Sequence, residues 1–243
     1  MKSLICGYGQ IGQALYKILK DHYPIGVIDD KKPGADFEVL DSAYNLANKG
    51  ECDIIHICFG YSDEFISEVK RYQELYKPKF TVIHSTVKPG TCRQLGAISS
   101  PCLGIHPNLE SGLRTFTKFL GGPQASEVAN YFRRAGMKVY LFSEPETPEL
   151  MKILDTTFYG LCVEYTKDVK MQCEKLGVPF EAWTLWTNNY NQGYKELGRE
   201  EFTRPNLVPI TEKTKGHCVI PNLSLIDTDF TRFLKEQNEK WLK

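Results

Sequence analysis

The chain has 243 residues, 42% of them hydrophobic, and its 30 lysines and arginines balance 30 aspartates and glutamates. That length allows one large or two modest domains with a substantial core, and the balanced charge excludes a global field that would recruit nucleic acid or an anionic membrane. No apolar run reaches the ~18 residues of a membrane span, the first strand starts too early to leave room for a signal peptide, and no cysteine pair has C-x-x-C spacing, so a cytoplasmic protein with mostly buried free thiols is expected.

Residues 4–6 read as a buried strand, followed at once by Gly7-Tyr8-Gly9-Gln10-Ile11-Gly12. A G-x-G-x-x-G turn between strand and helix grips a dinucleotide pyrophosphate. Gly7 permits the tight turn, Gly9 lets backbone approach phosphate, and Gly12 lets the next helix pack near the strand with its N-terminal N–H groups facing the anion. Ala14, Leu15, Ile18 and Leu19 form one helix face, and residues 25–28 read as a second strand ending in Asp29, with Asp30 beside it. Asp29 stands about 20 residues beyond the central glycine, where a carboxylate accepts hydrogen bonds from the adenosine ribose, which points to NAD. Lys31 and Lys32 could instead meet the 2′-phosphate of NADP.

Strand signals then alternate with helix signals: strands at 53–58, 80–84, 103–106, 116–120 and 139–142, and helices from a Ser62 cap to residue 76 and over 126–135. Continuous apolar strands separated by helices predict a parallel sheet covered on both faces. A first domain is expected over residues 1–145 and a second over 146–243. Thr147 as N-cap, Pro148 at the first helical position and Glu149 behind it start a long helix that Gly177 stops. Its apolar stripe, Leu150, Leu154, Phe158, Leu161, Tyr165, Val169, Cys173 and Leu176, must be covered by the rest of the chain or by a second subunit, so a homodimer is expected. Beyond it the pattern predicts an aromatic helix with Trp183 and Trp186 in the core, a polar stretch over 188–216, a turn at Pro221 and a final helix from Asp229.

After the fourth main strand the chain reads Ser85-Thr86-Val87-Lys88-Pro89-Gly90-Thr91, which resembles the S-T-V-x-P-G-T segment of the UDP-glucose/GDP-mannose 6-dehydrogenase family, in the 6-phosphogluconate dehydrogenase-like superfamily. The resemblance extends to Ile57-Cys58-Phe59-Gly60, to the 107–112 loop, to Leu120-Gly121-Gly122, to Lys152 with Phe158 six residues later, and to Gly216-His217-Cys218. It implies an α/β fold with an N-terminal Rossmann doubly wound, mainly parallel sheet, then a long helix and a small all-α C-terminal domain. The family's third, nucleotide-sugar-binding domain is lacking in such a shortened form. The implied activity is NAD-dependent oxidation of a sugar or other alcohol. The implied cofactor residues are Gly7, Tyr8, Gly9, Gln10, Ile11, Gly12, Asp29, Asp30, Phe59, Gly60, Ser85 and Thr86, and no metal is expected. Thr156 stands where the family carries asparagine, Asn222 where it carries aspartate, and Lys215 where it carries a glycine.

The resemblance implies that Lys152 stabilises the oxyanion and that Cys218 attacks an aldehyde to give a thiohemiacetal, with His217, Lys215 or bound NAD⁺ lowering the thiol pKa. Lys152, Thr156 and Gly160 share one helix face, and the glycine suits close approach of a ligand or neighbouring helix. Asn222 cannot take up a proton as aspartate would, and Glu110 is a candidate replacement. Thr86 reads either as orienting a water or substrate hydroxyl or as satisfying local backbone, and His106 as a loop histidine. Lys195, Arg199, Arg204, Lys213 and Lys215 read as a solvated face or as contacts for a phosphate- or carboxylate-bearing substrate. Two rival functions share these residues: a single-hydride dehydrogenase of the 3-hydroxyacid or prephenate type, and a non-catalytic NAD(H)-binding sensor.

Overall fold

The computed structural model describes residues 1–29, 52–105, 107–210, 212–214 and 219–241, and the chain divides into two compact units, Met1–Lys152 and Ile153–Lys243. Strands β1 (Ser3–Cys6), β2 (Ile25–Ile28), β3 (Ile54–Ile57), β4 (Phe80–Ile83), β5 (Ile98–Ser99), β6 (Lys118–Gly121) and β7 (Val139–Phe142) make one sheet in the first unit, in the order β2-β1-β3-β4-β5-β6-β7. Every pairing is parallel except β5 with β6, which meet antiparallel at Ser99 and Gly121.

Alternation along the strands fills two cores. Ile5, Val27, Ile54 and Val82 pack with Leu15, Ile18 and Leu19 of α1 (Gln10–Leu19) and with Val128 and Phe132. Leu4, Cys6, Ile55 and Ile57 point the other way, onto Phe65, Val69 and Tyr72 of α2 (Phe65–Tyr76). Both faces are dry, which is why these strands are continuous apolar runs rather than alternating ones. The chain winds one way from β1 to β2 and the other way from β1 to β3. The crevice between β1 and β3 at their carboxyl ends is therefore the switch point where such folds bind ligands. The unit is a Rossmann-like doubly wound α/β fold.

The remaining helices of the first unit are α3 (Thr91–Gln94), α4 (Leu109–Thr115) and α5 (Ala125–Arg134), and α6 (Glu146–Leu176) begins there and continues into the second. The second unit adds α7 (Glu181–Glu196), short 3₁₀ turns at Glu200–Phe202 and Pro221–Ser224, and α8 (Asp229–Glu239). A double capping exchange between Thr228 and Thr231 fixes the start of α8.

Several expectations are corrected. The stretch 103–105 carries no strand; Gly104 has φ 155° and its Cα lies where a Cβ on Gly112 would meet it at 2.5 Å, so the segment is pressed against α4 and the fifth strand is Ile98–Ser99 instead. Helix α2 starts at Phe65, after a turn in which Phe65 N–H donates to Ser62 O. Thr147 is not an N-cap, because α6 already begins at Glu146. Helix α7 extends into the stretch read as polar, as far as Glu196, with Tyr190 and Tyr194 stacked one turn apart at 5.9 Å. Trp186 is not core: it is 66% exposed beside an equally open Leu185.

Helix α6 partly inverts its expected polarity. Ile153, Thr156, Thr157, Glu164, Thr166 and Lys167 are buried, whereas Leu154, Phe158, Tyr165 and Leu176 of the apolar stripe are exposed. Leu150, Leu161, Val169 and Cys173 of the stripe are half-buried, so the described residues cover it only in part.

Candidate functional site

The turn after β1 is held from both sides. Gly7 has φ +96°, its N–H donates to Ile28 O at 2.7 Å, and a Cβ on it would lie 3.0 Å from Phe59 N. A Cβ on Gly12 would lie 2.0 Å from Gly7 O, so only glycine lets α1 sit this close to the turn. Gly9 differs: nothing lies within 4 Å of a Cβ built there, so its backbone faces open space. Gly9 is also the N-cap of α1, makes no side-chain cap, and no acidic residue occupies the first turn. Gln10, Ile11 and Gly12 thus form a helix N-terminus with nothing negative in its first turn. Asp29, at the end of β2, accepts a hydrogen bond from Tyr8 N–H at 2.8 Å, which ties the acid to the turn. Gln13, not singled out from sequence, donates its side-chain amide to Tyr8 O at 3.1 Å. Asp30 lies outside the described residues.

The loops after β3 and β4 continue this edge. Ser85 Oγ donates to Phe59 O at 2.5 Å, joining two segments that the sequence could only place in order. Space beside Gly60 is open, and Thr86 is half-buried. At the far end of this loop, Glu149 accepts Gly90 N–H at 2.7 Å and Cys92 N–H at 2.8 Å. Burial raises the Glu149 pKa, and its hydrogen bonds with Cys92 and Gly90 oppose that shift. Lys152 follows Glu149 by three residues on α6. Burial raises the Cys102 thiol pKa, and the charges of Lys118 and Lys152 oppose it, so the Lys152 ammonium is within electrostatic reach of Cys102.

Beneath this edge lies a polar chain that sequence reasoning missed. Lys118 Nζ is 3.0 Å from His84 Nδ1, His84 Nε2 is 2.9 Å from His56 Nδ1, His56 Nε2 is 3.2 Å from Tyr131 OH, and Tyr131 OH is 2.8 Å from Ser3 Oγ. All five residues are buried. Burial, with a smaller push from the Lys118 charge, brings His56 down to about 3; the same causes hold His84 well below its ordinary value, and burial lowers Lys118.

In the second unit, Asn222 Nδ2 lies 3.4 Å from Thr156 Oγ1, and Thr156 donates to Ile153 O at 3.0 Å. Two of the three positions that depart from the resembled family are thus brought together. Gly160 makes room for protein rather than ligand, since a Cβ there would meet Val219 Cγ1 at 2.7 Å and Leu234 Cδ1 at 3.1 Å. Buried Lys167 donates to Glu164 at 2.7 Å and to Thr214 Oγ1 at 2.9 Å, and Trp241 Nε1 donates to the same glutamate at 3.0 Å.

Other candidates are occupied within the chain. Glu110 pairs with Arg114 at 3.1 Å, Arg199 with Glu201, and Lys213 with Glu239, while Arg204 stacks over Tyr190 at 4.5 Å. His106, Lys215, His217 and Cys218 lie outside the described residues. No helix among the described residues is long and apolar enough to cross a membrane.

No protein-family model matches the sequence, and no curated protein matches it. Solved structures match closely in fold. UDP-D-ManNAc dehydrogenase from Pyrococcus horikoshii superposes with a TM-score of 0.75 at 14% identity, over 99% of this chain and 69% of its own. UDP-glucose dehydrogenase from Pyrobaculum islandicum gives 0.70 at 16% identity, over 99% and 68%. The 3-hydroxyisobutyrate dehydrogenase of Mycobacterium tuberculosis, solved with L-serine, gives 0.69 at 12% identity, over 99% and 93%. The chain shares the fold of nucleotide-sugar dehydrogenases along nearly all of its own length and spans about two thirds of theirs.

Proposed function

We propose that this chain is an oxidoreductase that holds a nicotinamide dinucleotide, NAD in preference to NADP, along the carboxyl edge of its first unit and oxidises a CH–OH group of a small molecule. The observation that carries this reading is the turn at 7–12. Gly7 and Gly12 are closed by their own surroundings, whereas Gly9 is open and lies at an uncapped helix N-terminus with a carboxylate behind it. A pyrophosphate fits that cradle, and Asp29 is placed to accept from a ribose diol where a 2′-phosphate would meet its negative charge. With the ribose at β2 and the pyrophosphate at β1, the strand order carries the other half of the dinucleotide toward Phe59, Gly60, Ser85 and Thr86.

When bound, the nicotinamide ring supplies the hydride acceptor. The chain's own residues hold it, exclude water with the buried edges of β3 and β4, and place the Lys152 ammonium to stabilise negative charge developing on the substrate oxygen. Such a donor typically contributes about 3 kcal/mol. In this reading residues 1–145 bind the cofactor, and 146–243 contribute substrate contacts and a dimer surface.

Single hydride transfer suits the residues better than oxidation to an acid. The second oxidation would use Cys218 and a proton acceptor, and at the position where the resembled family has aspartate this chain has Asn222, whose amide is engaged with Thr156. Incubation with NAD⁺ and UDP-glucose, and separately with 3-hydroxyisobutyrate, tests both readings. One NADH per carbonyl product supports single transfer, whereas two NADH per acid restores the cysteine route. Binding of neither NADH nor NADPH in calorimetry removes the dehydrogenase reading altogether, and NADH binding without turnover of any alcohol leaves a dinucleotide sensor.

The exposed stripe Leu154, Phe158, Tyr165 on α6 supports a homodimer, and the seven described free cysteines support a reducing, cytoplasmic setting. Sedimentation at micromolar concentration should give twice the 27.8 kDa chain mass. A single species at the chain mass rules the dimer out.

A further inference from the structure

We infer that Glu149 is a positioning residue that shapes the nicotinamide end of the cofactor site; this rests on the dinucleotide reading above. Glu149 is 1% exposed, and its carboxylate accepts from two backbone donors, Oε2 from Gly90 N–H and Oε1 from Cys92 N–H. Those donors open the four-residue helix α3, where a carboxylate satisfies N–H groups that have no partner within the helix. Between β4 and that helix runs Ser85-Thr86-Val87-Lys88-Pro89-Gly90, and hydrogen bonds tie its two ends to other segments. Ser85 Oγ fastens the first end to Phe59 O, and Glu149 fastens the last. Gly90 holds φ +94°, and Thr91 folds back on Lys88 O at 2.6 Å through its hydroxyl. Arg93, one residue past the clamp, pairs with Glu144 and Glu146 on the same approach to α6.

The loop thus hangs between the edge that would carry the nicotinamide half and the helix turn that carries Lys152. Moving the Gly90 end displaces Thr86 relative to both, whereas the adenosine half, gripped by the 7–12 turn and Asp29, is held by other segments. A carboxamide at 149 keeps the size and one acceptor but turns an N–H donor toward the second backbone N–H, so Glu149→Gln breaks the clamp without emptying the space.

The test is calorimetric titration of the full chain with NADH and with ADP-ribose, which lacks the nicotinamide. Glu149→Gln should weaken NADH about tenfold, equivalent to about 1.4 kcal/mol, and leave ADP-ribose within twofold of wild type. Gly90→Ala attacks the same loop from its backbone, in open space and away from the carboxylate, and should separate the two ligands in the same direction. It serves as the second variant if Glu149→Gln does not fold. If both ligands weaken together, or neither does, Glu149 is only a structural cap and the inference is wrong. If wild-type protein binds neither ligand, the dinucleotide reading itself fails and the role of Glu149 falls with it.

Discussion

The side-chain amide of Asn222 donates to the hydroxyl oxygen of Thr156 across 3.4 Å, and both residues are buried. Thr156 sits on α6 and Asn222 in the 3₁₀ turn Pro221–Ser224, so the contact spans 66 positions of sequence and joins two of the three sites at which the chain departs from the family it resembles. The hydroxyl is already committed as a donor to Ile153 O, which leaves it an acceptor for the amide and gives the pair a neutral, self-consistent pattern.

This pair is expected to couple in stability. Thr156→Val keeps the shape and removes the acceptor, Asn222→Ala removes the donor, and the double variant should recover about 0.5–1 kcal/mol relative to the sum of the single losses, as a long neutral hydrogen bond would. Urea unfolding of the four proteins measures it. Strict additivity would mean the contact carries no energy.

The buried chain from Lys118 through His84 and His56 should make the fold acid-sensitive. His56 is held near 3 against an ordinary 6.5, and His84 is depressed as well, so below 6.5 the unfolded chain binds protons that the folded chain refuses. The stabilisation is complete above 6.5 and is lost as the pH falls from there toward 3. Lys118 is lowered from 10.5, so it has the same sign in an alkaline window: stability rises as the pH approaches 10.5. Thermal melting followed against pH should therefore drop on the acid side, and Lys118→Met should flatten the alkaline slope. An unchanged alkaline slope in that variant would show that burial does not lower the Lys118 pKa.

Asp29 should govern cofactor choice. Its replacement by asparagine keeps an acceptor for Tyr8 N–H and removes the charge that opposes a 2′-phosphate. NADPH affinity should improve relative to NADH by about tenfold, the scale of 1.4 kcal/mol. Tighter binding of NADPH than NADH by the wild-type chain would instead assign the selectivity to other residues.

The parts of the fold that follow from local pattern were legible. Strands β1 to β4 and β7 and helices α1, α5 and α8 stand at or within a few residues of the positions their apolar spacing predicts, and the 7–12 turn carries its own conformational signature in three glycines. What escaped were features made by distant partners. A two-residue strand such as Ile98–Ser99 has too few side chains to show a period. Lys118 has the composition of a solvent residue, yet it is buried with its amine 3.0 Å from His84, 34 positions earlier. Glu149 looks like an ordinary first-turn acid until its partners 59 and 57 positions away are seen. Trp186 fails in the opposite sense: aromatic content argued for a core, but the side chain is mostly exposed. Of the proposed site, the glycine turn, Asp29 and Ser85 could be placed from sequence, while the clamp on their loop could not.

The most direct measurement compares Gly9→Ala with Gly12→Ala in melting temperature and NADH affinity. A methyl at position 9 meets nothing within 4 Å, whereas one at position 12 meets Gly7 O at 2.0 Å. Gly9→Ala should melt like wild type yet bind NADH at least about tenfold more weakly, because its methyl occupies the path by which phosphate approaches the backbone. Gly12→Ala should lose about 3 kcal/mol or more of stability, as severe overpacking against backbone does, and bind no NADH. A Gly9→Ala protein that binds NADH as tightly as wild type, or a folded wild-type protein that does not bind it, would contradict the assignment of this edge to a dinucleotide.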